Sequence, residues 1–219
     1  MERKEYKIIL VDDHELFRDG LKLLIELEKI GKVIGEADNG LKFLSLIDNE
    51  KPDVVIMDID MPIMNGLEAI EKGIAKYHDL NILVLSMHGD QNHYNQLINA
   101  GAKGFVLKTA GKQELENAIK NVAEGGSHFS NELLRKIILY NSQPQLKDIS
   151  NGTNLKFTDR ELEILKLFCN GFSSREIAEK VFLSVKTIEA YRSKLLLKSG
   201  AKNTIALVLF AIRNKIVTI

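Results

Sequence analysis

Five polar side chains in the first half of the chain follow apolar runs: Asp12, Asp13, Asp58, Ser86 and Lys108. Three carboxylates gathered in one place would repel each other unless a cation compensated them. Carboxylate oxygens, completed by water, are the ligands that Mg²⁺ prefers in proteins. A lysine and a serine beside them would offer a positive charge and a hydroxyl to a bound phosphoryl group. The set therefore favours phosphoryl chemistry at an aspartate, with a metal ion spreading negative charge in the transition state.

These side chains can act together only if the fold brings them to one edge. Short apolar runs alternate with amphipathic ones, which predicts a parallel sheet with helices on both faces. Ligands of such sheets bind beyond the carboxyl ends of the strands. The predicted strands are Tyr6–Val11, Val33–Ala37, Val54–Met57, Ile82–Ser86 and Gly104–Leu107. The predicted helices are Glu15–Lys29, Leu41–Asn49, Gly66–Lys76, Gln91–Ala100 and Lys112–Glu124. The apolar side of the first helix is indicated by Leu16, Gly20, Leu23, Leu24 and Leu27.

Each polar residue has a simpler interpretation when it is taken alone. An Asp at a strand end is more often a helix N-cap, and a Lys after a strand is more often a solvated surface residue. Ser86 alone says almost nothing. What favours a site is that such residues occur together at the ends of four strands of one unit.

The second half of the chain has a different pattern. The sequence predicts a linker over residues 126–154, with a helix over 131–140. Beyond them, Thr158 and Glu161 fit a capping box. The predicted helices there are Asp159–Asn170, Ser174–Val181, Val185–Lys198 and Thr204–Asn214. The last of them is apolar nearly all round, which predicts that part of its surface is paired.

The second and third of these helices, joined by the short turn Phe182–Ser184, predict a helix-turn-helix. A helical wheel directs Ile188, Tyr191 and Leu195 inward. It leaves the opposite face free to enter a DNA major groove, with Lys186, Ala190, Ser193 and Lys194 on that face. An ordinary helical bundle with a solvated polar face remains the alternative.

The charges are divided between these halves. The chain has 219 residues and a formal net charge of zero, which at first argues against a nucleic-acid binder. Residues 1–125, however, carry 15 basic and 22 acidic side chains, whereas residues 155–219 carry 12 and 6. This asymmetry predicts two domains with different partners.

Composition also indicates the cellular compartment of the protein. Cys169 is the only cysteine, which excludes an intramolecular disulfide, and its simplest interpretation is a small buried side chain. The longest apolar runs are far shorter than the ~20 residues that cross a bilayer, and the N-terminus has no signal-peptide pattern. We expect a cytoplasmic protein without a membrane partner.

The first half resembles a response-regulator receiver domain over roughly residues 5–125. The resemblance is carried by Ile9–His14, Pro52–Pro62 with Asn65-Gly66, Leu83–Ser86 and Gly104–Lys108. It implies an α/β, flavodoxin-like (βα)₅ fold spanning residues 1–125. The motif Asp58-Ile59-Asp60 also resembles the nucleophile motif of haloacid-dehalogenase-type phosphatases, but there it lies on the first core strand and not on the third.

The receiver resemblance assigns roles to the polar residues. Asp58 is implied to be the phospho-acceptor, with Asp12, Asp13, Asp58 and the backbone carbonyl of Asp60 holding Mg²⁺. Lys108 is implied to contact a phosphoryl oxygen, and Ser86 and Phe105 to form the switch pair. The family often has a neutral residue at the position of Asp60, and a hypothesis is that its side chain alters the lifetime of the phosphoryl group.

The second half resembles a LuxR-type helix-turn-helix over roughly residues 155–217. Phe157–Glu161, Gly171–Ala178, Leu183–Ile188 and Arg192 carry the resemblance. It implies a small all-α, four-helix domain at 155–219, and the pairing with a receiver is typical of NarL/FixJ-type response regulators. Implied DNA contacts are Lys186, Thr187 and Arg192 to phosphates and Glu189, Ala190 and Ser193 to bases, and we add Lys194 as a groove-facing residue.

Together these resemblances imply a transcription factor that is not a turnover enzyme. A sensor histidine kinase would phosphorylate Asp58, and the protein would bind double-stranded promoter DNA as a homodimer when it is phosphorylated or DNA-bound. The alternatives are a metal-dependent aspartyl phosphatase and a DNA-binding module whose receiver serves only constitutive dimerisation.

Overall fold

The computed structural model describes residues 5–87, 91–129 and 157–217. The chain divides into two compact units, Met1–Ser130 and Asn131–Ile219, which are described separately. The helix expected over 131–140 lies outside the described residues.

The first unit is built on five parallel strands in the order β2-β1-β3-β4-β5, which is the flavodoxin-like order. The strands are β1 (Tyr6–Val11), β2 (Gly31–Ala37), β3 (Val54–Asp58), β4 (Ile82–Ser86) and β5 (Gly104–Leu107). Asp58 at the end of β3 lies opposite Leu85 of β4, and Ser86 lies opposite Leu107 of β5. The register therefore aligns the ends of β3, β4 and β5 at one edge, and the predicted fold is confirmed.

Five helices connect and cover the strands: α1 (Glu15–Leu27), α2 (Gly40–Ile47), α3 (Gly66–Lys76), α4 (Gln91–Ala100) and α5 (Lys112–Ala123). Their starts follow local hydrogen-bonding chemistry. The side chain of Asn39 accepts from the Lys42 N–H at the start of α2, and that of Asn65 accepts from the Glu68 N–H at the start of α3.

The apolar side predicted for α1 is wrong except at Leu24, which is partly buried and packs against the core. Leu21 and Ile25 are buried, whereas Leu16, Leu23 and Leu27 are 87%, 59% and 70% exposed. With Phe17 and Ile25 included, apolar residues occupy more than half of the circumference of this helix, so two stripes satisfy the helical spacing. Only contact with the sheet selects between them, and spacing within one helix does not contain that contact.

The chain turns back after α5 and rejoins the sheet. Gly125 adopts a φ of 79°, which suits glycine at a helix end. His128 then forms a parallel bridge with Gly104: the Phe105 N–H donates to His128 O at 2.9 Å, and the His128 N–H donates to Lys103 O at 3.1 Å. The first domain therefore extends past residue 125, the boundary predicted from the glycine pair.

A strained residue lies in the loop between β3 and α3. Ile63 has a φ of 70° and is 77% exposed, although a β-branched side chain is disfavoured in this left-handed region. We expect Ile63→Gly to raise the free energy of unfolding by about 0.5–1 kcal/mol, because relief of the backbone strain exceeds the entropy that glycine adds to the unfolded chain. Urea denaturation would measure the change. Ile63→Val keeps the branched side chain and should give no gain, and a glycine variant less stable than wild type would contradict the strain.

The described residues of the second unit, 157–217, form α6 (Asp159–Cys169), α7 (Ser174–Lys180), α8 (Val185–Ser199) and α9 (Thr204–Arg213). The capping box of Thr158 and Glu161 is confirmed, and Ser184 caps α8 as predicted. Cys169 is buried, and burial raises the pKa of its thiol to about 12.

The last helix places most of its apolar residues inside. Ile205, Leu207, Val208, Leu209 and Ala211 of α9 are all buried within the single chain. The surface that the sequence suggested for pairing is therefore smaller than its composition indicated. Within the described residues, no single helix is both long and apolar enough to cross a membrane, and only α8 with α9, bent by 57°, would pass as a pair.

Candidate functional site

The strand ends bring the predicted site residues together. Asp12 follows β1, Asp58 and Ser86 end β3 and β4, Lys108 follows β5, and all four are nearly or fully buried. The Lys108 ammonium lies 2.7 Å from Asp12 Oδ2 and 2.7 Å from Asp58 Oδ2. A single buried cation thus bridges two buried carboxylates that belong to neighbouring strands.

Burial and hydrogen bonding have opposing effects on the pKa values of Asp58 and Lys108. Burial raises the pKa of Asp58, and the hydrogen bond from Lys108 offsets this only in part. Burial by itself would lower the pKa of Lys108, but the hydrogen bonds to Asp12 and Asp58 outweigh it, so the pKa is raised. Lys108 therefore stays positively charged and is held where it compensates the acidic pair.

One side of the acidic group is open to solvent. Asp12, Asp13, His14 and Asp58 each offer a ligand atom, and these atoms lie within 4.8 Å of one another. Asp13 is partly exposed, and His14 Nδ1 lies 2.9 Å from Asp13 Oδ1. A mainly carboxylate set that faces water on one side fits a hard, partly hydrated ion such as Mg²⁺.

His14 was not predicted as a neighbour of this group. Its position directly after Asp13 and before α1 is the only signal in the sequence. Its ring nitrogen is a less usual partner for Mg²⁺ than an oxygen. Asp60, by contrast, is exposed, and its side chain does not belong to the acidic group. That its backbone carbonyl binds the metal ion remains a prediction.

Gly66 packs directly behind Asp58. A Cβ at this position would lie 2.2 Å from the Asp58 carbonyl oxygen, so no other residue fits without movement. The Gly66 N–H donates to Ile59 O at 2.8 Å. The Ile59 N–H donates in turn to Asp58 Oδ1 at 2.7 Å, which fixes the orientation of the carboxylate.

The second residue of the predicted switch pair lies inside the domain. The ring of Phe105 is buried, 5.1 Å from the ring of Tyr94 in an edge-on arrangement. It also lies 5.4 Å from the ring of Phe129, just beyond the bridge at His128. Phe105 therefore contacts both α4 and the chain that leaves the domain.

Helix α8 presents part of the predicted DNA-binding face. Lys186, Ala190 and Ser193 are exposed, and Thr187 is partly exposed with its hydroxyl 2.8 Å from that of Ser184. These four positions agree with the outward face predicted from the helical wheel and the resemblance.

Other predicted contacts have partners within the domain. Glu189 and Arg192 form an ion pair with each other. Arg192 is largely buried, and burial lowers its pKa despite the nearby Glu189. The ammonium of Lys194, which we expected in the groove, lies 3.0 Å from Glu161 Oε1.

Glu161 makes contacts beyond the capping role that was predicted for it from the sequence. Its side chain is 0% exposed, and its Oε2 accepts from Lys198 at 2.6 Å and from the Thr158 N–H at 2.8 Å. Burial would raise its pKa, but these bonds and Lys194 lower the pKa to about 2. Glu161 therefore links the start of α6 to α8 as a charged group.

Comparison with known proteins finds a family match for each half of the chain. Residues 8–120 match the family described as response regulator receiver domain, and residues 155–211 match the bacterial regulatory proteins of the luxR family. The transcriptional regulatory protein DegU of Brevibacillus brevis is 33% identical over 220 residues, which cover 95% of this chain and 93% of DegU.

Two solved structures are similar. A LuxR-family response regulator from Aurantimonas sp. is 30% identical, with a TM-score of 0.60 over 63% of this chain and 99% of that one. RcsB from Salmonella enterica serovar Typhimurium is 25% identical, with a TM-score of 0.55 over 94% of this chain and 98% of that one. With a receiver domain followed by a LuxR-type DNA-binding domain, the chain belongs to the NarL/FixJ-type response regulators.

Proposed function

We propose that this response regulator controls transcription in the cytoplasm through phosphorylation of Asp58 by a sensor histidine kinase, with Mg²⁺ bound at Asp12, Asp13 and Asp58. The observation that carries the proposal is the Asp58 carboxylate, buried beside Lys108 and at the edge of an acidic group open to solvent. The chain accepts and slowly loses its own phosphoryl group and turns over no other substrate.

The residues of the chain perform distinct parts of the transfer. A carboxylate oxygen of Asp58 forms a bond to phosphorus while the bond from phosphorus to the donor's histidine nitrogen breaks. The bound metal ion would spread the negative charge of the transferred group. Lys108 Nζ, released from Asp58 Oδ2, then contacts a phosphoryl oxygen, and the Ser86 hydroxyl donates to another.

The transferred group changes the charge at a site that already holds three carboxylates. A phosphoryl group brings about −1.5 to −2 charges. Lys108 cannot neutralise both Asp12 and the new group from its original position. The ends of β4 and β5 therefore adjust, and Phe105, which is packed against Tyr94 and Phe129, transmits the change along the chain.

On DNA, we propose that the protein acts as a homodimer. A helix-turn-helix reads one half-site, and two-fold symmetry extends the contact to a pseudo-palindromic promoter. The similar RcsB has been solved bound to the rprA promoter in the presence of the phosphomimetic BeF₃⁻, which supports DNA binding by the active state.

The test is binding of the full chain to a duplex from its own promoter region, with and without acetyl phosphate and Mg²⁺. We expect affinity to rise by about tenfold or more when both are present, equivalent to about 1.4 kcal/mol of coupling. Equal affinity in all conditions would favour the DNA-binding module with constitutive dimerisation. Steady turnover of p-nitrophenyl phosphate would favour the phosphatase instead.

A further inference from the structure

The recognition helix α8 carries fewer available cations than its sequence suggests. Of its four basic residues, Arg192 is paired with Glu189, and Lys194 and Lys198 are both paired with Glu161. Within the part of the chain that the structure describes, Lys186 is the one basic residue of α8 without such a partner.

The pairing with Glu161 joins α6 to α8. Glu161 lies in the first turn of α6, where the Thr158 N–H also donates to its carboxylate. Lys194 and Lys198 lie one turn apart in the second half of α8, and both point to this carboxylate. The stem of Lys198 is partly covered, with its ammonium 5.7 Å from the centre of the Phe157 ring.

Separating Lys194 and Lys198 from Glu161 costs free energy. A buried carboxylate that loses its cations is left uncompensated in a region of low dielectric, which is strongly destabilising. Lys194 is itself 56% exposed, but a DNA phosphate would have to draw its ammonium away from Glu161 against that cost. Lys186 is exposed and has no such ion pair among the described residues.

We propose that Glu161 is a positioning residue for DNA recognition: it holds Lys194 and Lys198 against the domain, fixes the angle of α8, and leaves Lys186 as the phosphate-contacting cation of this helix. The inference rests on the proposed binding of DNA through α8. It assigns the exposed face of Lys186, Ala190 and Ser193 to the groove and removes Lys194 from the contacts expected there.

Salt dependence distinguishes a phosphate contact from a structural ion pair. Each phosphate neutralised by a lysine adds about 0.9 to the slope of log affinity against log salt concentration. Loss of a lysine that only stabilises the fold changes the melting temperature and leaves the slope unchanged.

The experiment measures this slope for the full chain, treated with acetyl phosphate and Mg²⁺, on a labelled duplex of mixed sequence. We expect Lys186→Met to lower the slope by about 0.9. Lys194→Met and Lys198→Met should leave the slope unchanged and lower the melting temperature instead. A drop of about 0.9 in Lys194→Met or Lys198→Met would overturn the inference.

The variant Glu161→Gln tests the same inference from the other side of the ion pairs, because it changes the carboxylate and keeps both lysines. Glutamine at this position still supports the capping box, but its amide no longer holds two ammonium groups. We expect the slope to steepen by about 0.9 for each lysine that reaches a phosphate, and addition of Lys194→Met should reverse part of the increase. The preference for the promoter duplex over the mixed duplex should fall, because α8 is less firmly oriented.

The outcomes separate the two proposals. If circular dichroism shows that Glu161→Gln does not fold, the two lysine variants decide alone. If the wild-type chain bound neither the mixed nor the promoter duplex, the proposed function would fail and this inference with it. Binding by wild type with a slope that Lys194→Met reduces would overturn the inference alone.

Discussion

Replacement of Asp58 by Asn should abolish incorporation of a phosphoryl group from acetyl phosphate and Mg²⁺. The Asn side chain keeps the size of the carboxylate but lacks the anionic oxygen that bonds to phosphorus. Intact-protein mass spectrometry measures the result, since the wild-type chain should gain the mass of one phosphoryl group and the variant none. Phosphodonor-dependent DNA binding should disappear with it.

The matched control for Asp58→Asn is Asp79→Asn. Asp79 is an exposed carboxylate in the segment that precedes β4, at the opposite edge of the sheet from the site. The Asp79→Asn variant should incorporate the phosphoryl group as wild type does. Undiminished incorporation by Asp58→Asn would show that another residue accepts the group and would contradict the proposed function.

Replacement of Lys108 by Met should destabilise the receiver domain by about 3–5 kcal/mol in metal-free buffer, which is the usual cost of removing one partner from a buried ion pair. The side chain is only 4% exposed, and its loss leaves Asp12 and Asp58 facing each other without a cation. Urea unfolding in the presence of EDTA would measure the loss. Mg²⁺ should restore part of it, because an ion held by the same carboxylates would stabilise the folded state only.

Two further variants check the cause of that loss. Lys112→Met removes a half-exposed ion pair with Glu28 and should change stability by less than about 1 kcal/mol. Asp58→Asn in the Lys108→Met background should recover stability, since it relieves the repulsion between carboxylates. If Lys108→Met were as stable to urea as wild type in EDTA, this lysine would not be needed to compensate the acidic group.

The fold was predictable because its signals are local. Alternation of buried strands with amphipathic helices fixes a parallel sheet, and β1, β4 and β5 have the predicted bounds. The acidic site followed from the same alternation, since Asp12, Asp58, Ser86 and Lys108 stand at the ends of strands that meet at one edge. Local spacing was therefore enough to assemble residues almost 100 positions apart.

What could not be predicted depends on packing between elements. The buried side of α1 is chosen by the sheet and not by the spacing of its leucines. The pairing of Lys194 with Glu161 requires α6 to lie against α8, and a helical wheel of α8 alone places that lysine in the groove. The glycine pair after α5 correctly marked a helix end, but the return of His128 to β5 depends on the open side of that strand.

That return has a consequence for the solubility of the receiver domain. As the last strand of the sheet, β5 would otherwise expose backbone groups that can pair with a strand of another molecule. His128 occupies two of those groups through its own N–H and carbonyl oxygen. A receiver cut at Gly125 would present an open edge and become prone to aggregation, whereas a receiver that retains Phe129 keeps this part of the edge covered.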